Sequence, residues 1–329
     1  MNILITGAAG GIGSSLAYAL YKNGHTLDLI DNFRNGYKQN LSINNETFGN
    51  FYEFDIRDKN LYSKLSINYD CIIHLAAITA LPDCESNPQE TIEINVGGTS
   101  NILECARRWG TKHVIFASTS AVYEENKETI FTENLDINPR LWYSLSKKMG
   151  EELCTSYRKN YNIPITTLRF FNVFGPRQDI HRKNPPLLNY MVGEIKNNRI
   201  PIFHGDGEQK RDYIHVDDVV NCVQLCLNKK PNDTFNVCTG KLLSVNDIFN
   251  CVSKEYQFKL NPIYKKANML WDSYPSIFSG PYPLSKDIVE KETTKYSKGS
   301  FEKAKNVLNW NPNLNLEYLI KKVAKEIIL

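Results

Sequence analysis

Charge of one sign is not in excess in this chain. Its 39 Lys and Arg stand against 36 Asp and Glu over 329 residues, a formal charge of +3, so composition gives no basic face for nucleic acid. Long hydrophobic runs are missing as well. None approaches the ~18 residues of a membrane span, and the first residues, Met1-Asn-Ile-Leu-Ile-Thr6, lead into a glycine turn rather than a cleavable leader. These absences predict a cytoplasmic protein with no membrane insertion. Paired cysteine motifs are lacking too. The eight cysteines (Cys71, Cys84, Cys105, Cys154, Cys222, Cys226, Cys238, Cys251) contain no Cys-x-x-Cys, and most lie in apolar segments where a reduced thiol acts as a small hydrophobe. Neither a disulfide framework nor a metal site is expected. Repeats and low-complexity tracts are absent. Sequons such as Asn45-Glu-Thr47 occur, but without a secretory route they are read as chance.

What is present is alternation. Short β-rich runs at 3–6, 27–30, 51–54, 71–75 and 113–117 are interleaved with helical stretches that include 11–22 and 91–109. Such alternation requires right-handed crossovers and a parallel sheet. Near-continuous apolar strands such as Cys71-Ile-Ile-His-Leu75 and Val114-Ile-Phe-Ala117 fit burial on both sheet faces. The predicted class is α/β, a Rossmann-like doubly wound parallel sheet. After Phe174 the pattern loosens around Gly175-Pro176, Pro185-Pro186, Gly205-Asp-Gly207 and Gly280-Pro-Tyr-Pro283, which suits a smaller α/β substrate domain ending in a helix over 316–328. The expected division is 1–174 and 175–329, with segments near 212–240 returning to the first domain.

Two motifs carry chemistry. Gly7-Ala-Ala-Gly10-Gly-Ile-Gly13 follows a strand and opens a helix, the context of a pyrophosphate-binding turn in which backbone and helix N-terminus meet the phosphates. Asp31 ends the second strand, where a carboxylate can accept from both ribose hydroxyls and repel a 2′-phosphate, so NAD is favoured over NADP. Arg34 stands close enough in sequence to soften that repulsion. Asp55, after the third strand, is a candidate for the adenine amino group. The second motif is Tyr143-Ser-Leu-Ser-Lys147. Four residues apart on a helix, the phenol and the ammonium share a face, and the cation favours the ionised phenol. Bringing a phenol from ~10 to neutrality takes roughly three units, or about 4 kcal/mol; the result is a base beside a hydride acceptor.

In order along nearly the whole chain, further stretches join these: Asp31-Asn32, Asp55-Ile56, His74-Leu-Ala-Ala77, Asn95-Val-Gly-Gly-Thr99, Ser118-Thr-Ser-Ala-Val-Tyr123, Arg169-Phe-Phe-Asn-Val-Phe-Gly-Pro176 and Gly205-Asp-Gly-Glu-Gln-Lys-Arg-Asp-Tyr-Ile-His-Val-Asp-Asp218. The series resembles the extended short-chain dehydrogenase/reductase family, within it the NAD-dependent nucleotide-sugar epimerases and dehydratases. The resemblance implies that Tyr143 is the base, that Lys147 holds the nicotinamide ribose and lowers the phenol pKa, and that Thr119 bonds the reacting hydroxyl. It implies cofactor contacts from Gly7, Gly10, Gly11, Ile12 and Gly13, from Asp31, Asn32, Asp55 and Ile56, and from Leu75, Ala76, Ala77, Asn95 and Ser118. On the substrate side it implies Ser120 beside Thr119, Asn172 and Arg211 on the diphosphate of a nucleotide sugar, and Phe203 under the nucleobase.

Within that resemblance the residues after Thr119 discriminate. Dehydratases of the family carry Asp-Glu there and decarboxylases a glutamate at position 121, whereas this chain has Ser120-Ala121. Epimerisation at C4 through a transient 4-keto sugar is the expected reaction; a one-way 4-dehydrogenase or ketosugar reductase is the alternative, and intact Thr119, Tyr143 and Lys147 argue against a non-catalytic NAD-binding regulator. Three positions depart from the pattern. Trp142 replaces the usual proline before the tyrosine, and Glu124 the usual glycine after Val122-Tyr123. Val289-Glu-Lys-Glu-Thr293 stands where the family has Arg-x-Gly-Asp/Glu; Lys291 or the segment 268–286 is expected to replace that arginine. A homodimer is expected through helices 91–109 and 143–161.

Overall fold

The computed structural model describes residues 1–43, 46–65 and 68–327. Asn45 of the sequon and Ile328, the expected end of the last helix, lie outside them. Aliphatic runs decide the centre of the fold. Ile3 and Ile5 point to one side of their strand and Leu4 to the other, as a period of two requires, and each joins a different buried cluster: Ile3 and Ile5 meet Leu16, Leu20 and Val223, while Leu4 meets Ile72, Leu103 and Phe116. A strand buried on both faces reads as a continuous apolar run.

Seven strands form one sheet, in the order Thr234–Val237, Ile165–Phe170, Val114–Thr119, Cys71–His74, Asn2–Thr6, Thr26–Asp31, Asn50–Glu53. Every neighbouring pair is parallel. The chain's progress across the sheet reverses between Asn2–Thr6 and Cys71–His74. A reversal leaves a crevice beyond the carboxyl ends of those strands, and Gly7 begins there.

The second half builds a smaller layer. Strands Asn172–Phe174, Lys210–His215 and Leu242–Ser244 form a three-stranded sheet, and helices Leu187–Lys196, Val245–Tyr256 and Leu316–Glu326 enclose their own apolar cluster. Helix Val216–Lys229 packs on helix Gly11–Lys22, and strand Thr234–Val237 closes the edge of the large sheet. The chain therefore comes back from Val216 onward, and Ala304, Leu308 and Trp310 also join the large sheet's core, a second return with no signal in the sequence.

The expected helix 91–109 is three pieces: Pro88–Ile92, a π-helical turn Glu93–Gly98, and Thr99–Trp109. The wider turn places Asn95 inward and lets the backbone at Gly98 approach Ile56, where a Cβ would meet Cδ1 at 2.4 Å. Such turns recur at functional sites.

One buried ion pair joins the layers. Arg169, on strand Ile165–Phe170 beside the edge strand, donates Nε to Oε1 of Glu151 at 2.9 Å and Nη2 to Oε2 at 2.7 Å. Glu151 lies on helix Trp142–Tyr161 and also accepts from Ser118 Oγ at 2.5 Å. The remaining Arg169 nitrogen donates to Tyr123 Oη at 2.7 Å, which donates to Asn236 Oδ1 at 2.9 Å. Side-chain exposures of 6% and 10% mean that removing one partner strands the other in a dry interior. Glu151→Ala is expected to destabilise the protein by about 3–5 kcal/mol in urea unfolding; a loss under about 1 kcal/mol would show that water reaches Arg169.

Candidate active site

At Gly7 the chain leaves its strand with φ +70°, and a Cβ there would meet the Ala76 nitrogen at 2.7 Å; one at Gly13 would meet the Gly7 carbonyl oxygen at 2.2 Å. The turn at Gly7 and the third helical residue, Gly13, are packed so closely that only glycine fits at either position. Helix Gly11–Lys22 starts at Gly10 with no side-chain cap, leaving its first N–H groups to face the crevice. Gly10, Gly11 and Ile12 line that cleft with Asn32, Leu75, Ala76 and Ala77. Ile56 and Ser118 reach it too.

Asp31 ends its strand at the cleft, accepting from the N–H of Ala9 at 2.9 Å and of Phe33 at 2.8 Å. Burial pushes its carboxyl up from the ordinary value, and the backbone donors oppose that rise. Asp55 is differently placed. Bonding to Arg57 holds it down to about 2; one oxygen accepts from Arg57 N and Nε and the other from Arg57 Nη2 and Asn32 Nδ2 at 2.7–3.0 Å. Four donors therefore converge on this carboxylate, which lines the same cleft as Asp31. Arg34 forks onto Glu90 at 2.5 and 2.9 Å, so its charge is already partnered.

Asn95 is held by the protein itself. Its side-chain oxygen accepts from Ile78 N at 2.8 Å, and its nitrogen donates to Ile78 O at 3.0 Å and Ser146 Oγ at 2.9 Å. It fastens the cleft wall to the helix of Tyr143, and its amide is spent on the protein. Phe203, expected under the nucleobase, is 3% exposed, packs edge-on against Phe249 and Tyr264, and lies in the core of the smaller layer. Apolar identity alone did not distinguish a core ring from a base platform.

Tyr143 is the second residue of helix Trp142–Tyr161, and Lys147 lies one turn on; both line the cleft. Although the Tyr143 ring opens onto that space, burial around its hydroxyl pushes the phenol up to about 12, opposed by a hydrogen bond with Thr119 and by the charge of Arg182. Burial brings the Lys147 ammonium down to about 8. Its Nζ donates to the Ala117 carbonyl at 2.8 Å. Arg182, which lines the same cleft, is a further cation acting on the phenol. Arg182 sits in a loop 39 residues from the tyrosine, where spacing carries no signal.

Beyond Tyr143 and Thr119 a second, polar chamber opens, lined by Ser120, Asn172 and Arg211. Asn172 donates to the Asp212 carbonyl at 3.0 Å. Arg211 donates to the Lys210 carbonyl at 3.2 Å and to the Glu292 carbonyl at 2.6 Å, at the end of helix Lys286–Thr294. Lys291 is exposed, whereas Lys295, paired with Glu292, faces the chamber; the cation here comes one helical turn later than expected. Segment 268–286 packs Trp271, Tyr274 and Ile277 against Leu141 and supplies none of the chamber's lining side chains among the described residues.

A glycine turn on a switch-point crevice, a ribose-side carboxylate and a Tyr-Lys helix together define an NAD-binding short-chain dehydrogenase type of site. The model of the NAD-dependent epimerase/dehydratase family matches residues 3–238, and the chain belongs to that family. It is 34% identical over 324 residues, 98% of this chain and 97% of the relative, to a Methanocaldococcus jannaschii protein provisionally named UDP-glucose 4-epimerase. The structure is similar to a UDP-glucose 4-epimerase from Thermotoga maritima with UDP-glucose, at 29% identity and TM-score 0.86 over 99% of this chain and 98% of that one. It is also similar to a UDP-glucuronic acid 4-epimerase from Bacillus cereus in complex with UDP-glucuronic acid and NAD, at 26% identity and TM-score 0.81 over 99% of each chain.

The residues fit NAD: no Cβ intrudes at the phosphate turn, and Asp31 presents a carboxylate on its wall of the cleft. Titration should give NAD binding at least about tenfold tighter than NADP, or roughly 1.4 kcal/mol. Equal or tighter NADP binding would mean that Asp31 does not face the ribose.

Proposed function

We propose that this chain inverts C4 of a UDP-linked hexose by oxidation and its reversal, with Tyr143 as the base. The observation that carries the reading is that the cofactor cleft and the polar chamber meet along a shared wall of Thr79, Thr119, Tyr143, Phe170 and Phe171, so that both Thr119 and Tyr143 face the two spaces at once. A sugar held in the chamber therefore presents a hydroxyl to the base and a carbon to the cofactor side at once, which is the positioning such a reaction needs. The UDP group follows from the relatives.

Thr119 orients the C4 hydroxyl and Tyr143 takes its proton. When bound, NAD supplies the acceptor of the C4 hydride and its donor on return. Lys147 would hold the nicotinamide ribose. Asn172 and Arg211 would keep the diphosphate in place while the sugar ring turns, with Lys295 a further cation at that end. Ser120 and Ala121 offer no carboxyl group for elimination, and one oxygen of Glu124, the chamber's carboxylate beside them, is committed to backbone N–H groups of Arg140 and Leu141. A reaction that recycles NAD on a nucleotide sugar belongs where both are made, the cytoplasm.

We also propose a homodimer through helices Thr99–Trp109 and Trp142–Tyr161, supported by the exposed ring of Tyr161. Sedimentation at micromolar concentration should show a dimer, and monomer alone would remove this assignment. Incubation with several UDP-hexoses and a trace of NAD should give a C4 epimer without net NADH; a ketosugar formed in proportion to added NAD would instead mark a 4-dehydrogenase. Tyr143→Phe should lower kcat by roughly 10²- to 10⁴-fold with NAD affinity retained, because only the ionisable oxygen is lost. Activity within about tenfold of the parent would remove Tyr143 as base.

A further inference from the structure

The helix that carries Tyr143 and Lys147 starts without a cap of its own. Leu141 stands at the N-cap position and offers no side-chain acceptor, while the first N–H groups of a helix have no partner inside it. Three N–H groups at this end are met from outside. Glu124, directly after the 3-10 turn Ser120–Tyr123, accepts through Oε2 from Arg140 N at 3.1 Å and Leu141 N at 3.0 Å. Glu85, on helix Leu81–Ser86, accepts from Trp142 N at 2.6 Å. Two of the three positions that depart from the family pattern, Trp142 and Glu124, lie in this set of bonds.

Bringing two carboxylates together under partial burial is unfavourable. Burial pushes Glu85 up to about 7, with the charge of Glu124 adding to the rise, and burial raises Glu124 as well. The arrangement persists because charge-assisted bonds from three N–H groups, and the positive end of the helix, oppose that cost. Glu124 also links two catalytic elements: the turn it follows has Thr119 as its N-cap, and the helix it holds has Tyr143 as its second residue.

We propose that Glu85 and Glu124 are positioning residues for Tyr143, clamping the first turn of its helix in register with the turn that begins at Thr119. The proposal rests on Tyr143 being the base. A shift of the phenol by about 1 Å relative to Thr119 is enough to cost on the order of 10²-fold in rate, and no other side chain needs to move for that loss to occur.

Four full-length variants test this: Glu85→Ala, Glu85→Gln, Glu124→Ala and Glu124→Gln. Glutamine keeps a carbonyl acceptor and alanine does not. In the alanine variants kcat for a UDP-hexose should fall roughly 10- to 100-fold while KM for sugar and affinity for NAD stay within about threefold. The glutamine variants should recover to within about fivefold of the parent, because geometry rather than charge is restored. Amide hydrogen exchange at Trp142 and Tyr143 should speed up in the alanine variants alone. Parental kcat in both alanine variants, or losses that follow melting temperature and are not recovered by glutamine, would overturn the clamp. So would unchanged exchange at Trp142 and Tyr143, a readout that needs no substrate. A parent that turns over none of the UDP-hexoses would instead overturn the assigned reaction and leave the exchange result to decide the clamp's geometry.

Discussion

The Glu151–Arg169 pair is the interaction on which the site depends. Desolvating two charges is expensive, and the molecule offsets that with a closed set of partners: Ser118 Oγ and two Arg169 nitrogens on Glu151, and Tyr123 on the remaining arginine nitrogen. Through them the helix of Tyr143 is fixed to strand Val114–Thr119 next to Thr119, to strand Ile165–Phe170, and by way of Tyr123 and Asn236 to the edge strand Thr234–Val237. The edge strand belongs to the returning part of the chain, so the second half of the sequence contributes to the set of bonds that holds the catalytic helix. A hydrophobic replacement of equal volume would pack that space but would not fix the rotation of the helix about its axis, which is what aims Tyr143.

Electrostatics in this region runs against ionisation. Burial raises the phenol of Tyr143 and lowers the ammonium of Lys147, so each member of the pair is held toward its neutral form, the reverse of what their helical spacing suggests. The groups that favour tyrosinate within the protein come from other elements: Thr119 at a strand end and Arg182 in a loop. Spacing on one helix face brings two side chains near each other, but the balance of desolvation and charge is set by everything packed around them.

The same division holds across the molecule. Strand positions, the phosphate turn, Asp31, and the Tyr143-to-Lys147 face were legible because each rests on a local regularity: a period of two buried on both faces, a glycine spacing after a strand, a four-residue helical repeat. The π-helical turn at Glu93–Gly98 was not, since a period of 3.6 continues through it on paper; Asn95 within it bonds Ile78 and Ser146, partners distant in sequence. Nor was the second return of the chain at Ala304 to Trp310, whose apolar residues resemble any amphipathic helix until they meet the large sheet.

By itself, then, the sequence determined the parallel sheet, the crevice at its switch point and the kind of cofactor it takes, because those follow from alternation and from a turn that only glycine can make. Only the tertiary structure decided which polar side chains remain available to a ligand. Asp55 and Asn95 stand at the right places in the order of motifs, and the structure shows which protein groups they already bond: Arg57 and Asn32 for the one, Ile78 and Ser146 for the other. Lys295 rather than Lys291 faces the chamber because the end of helix Lys286–Thr294 is held by Arg211. Whether a polar atom is free is a property of its neighbours in space, and a sequence lists neighbours only along the chain.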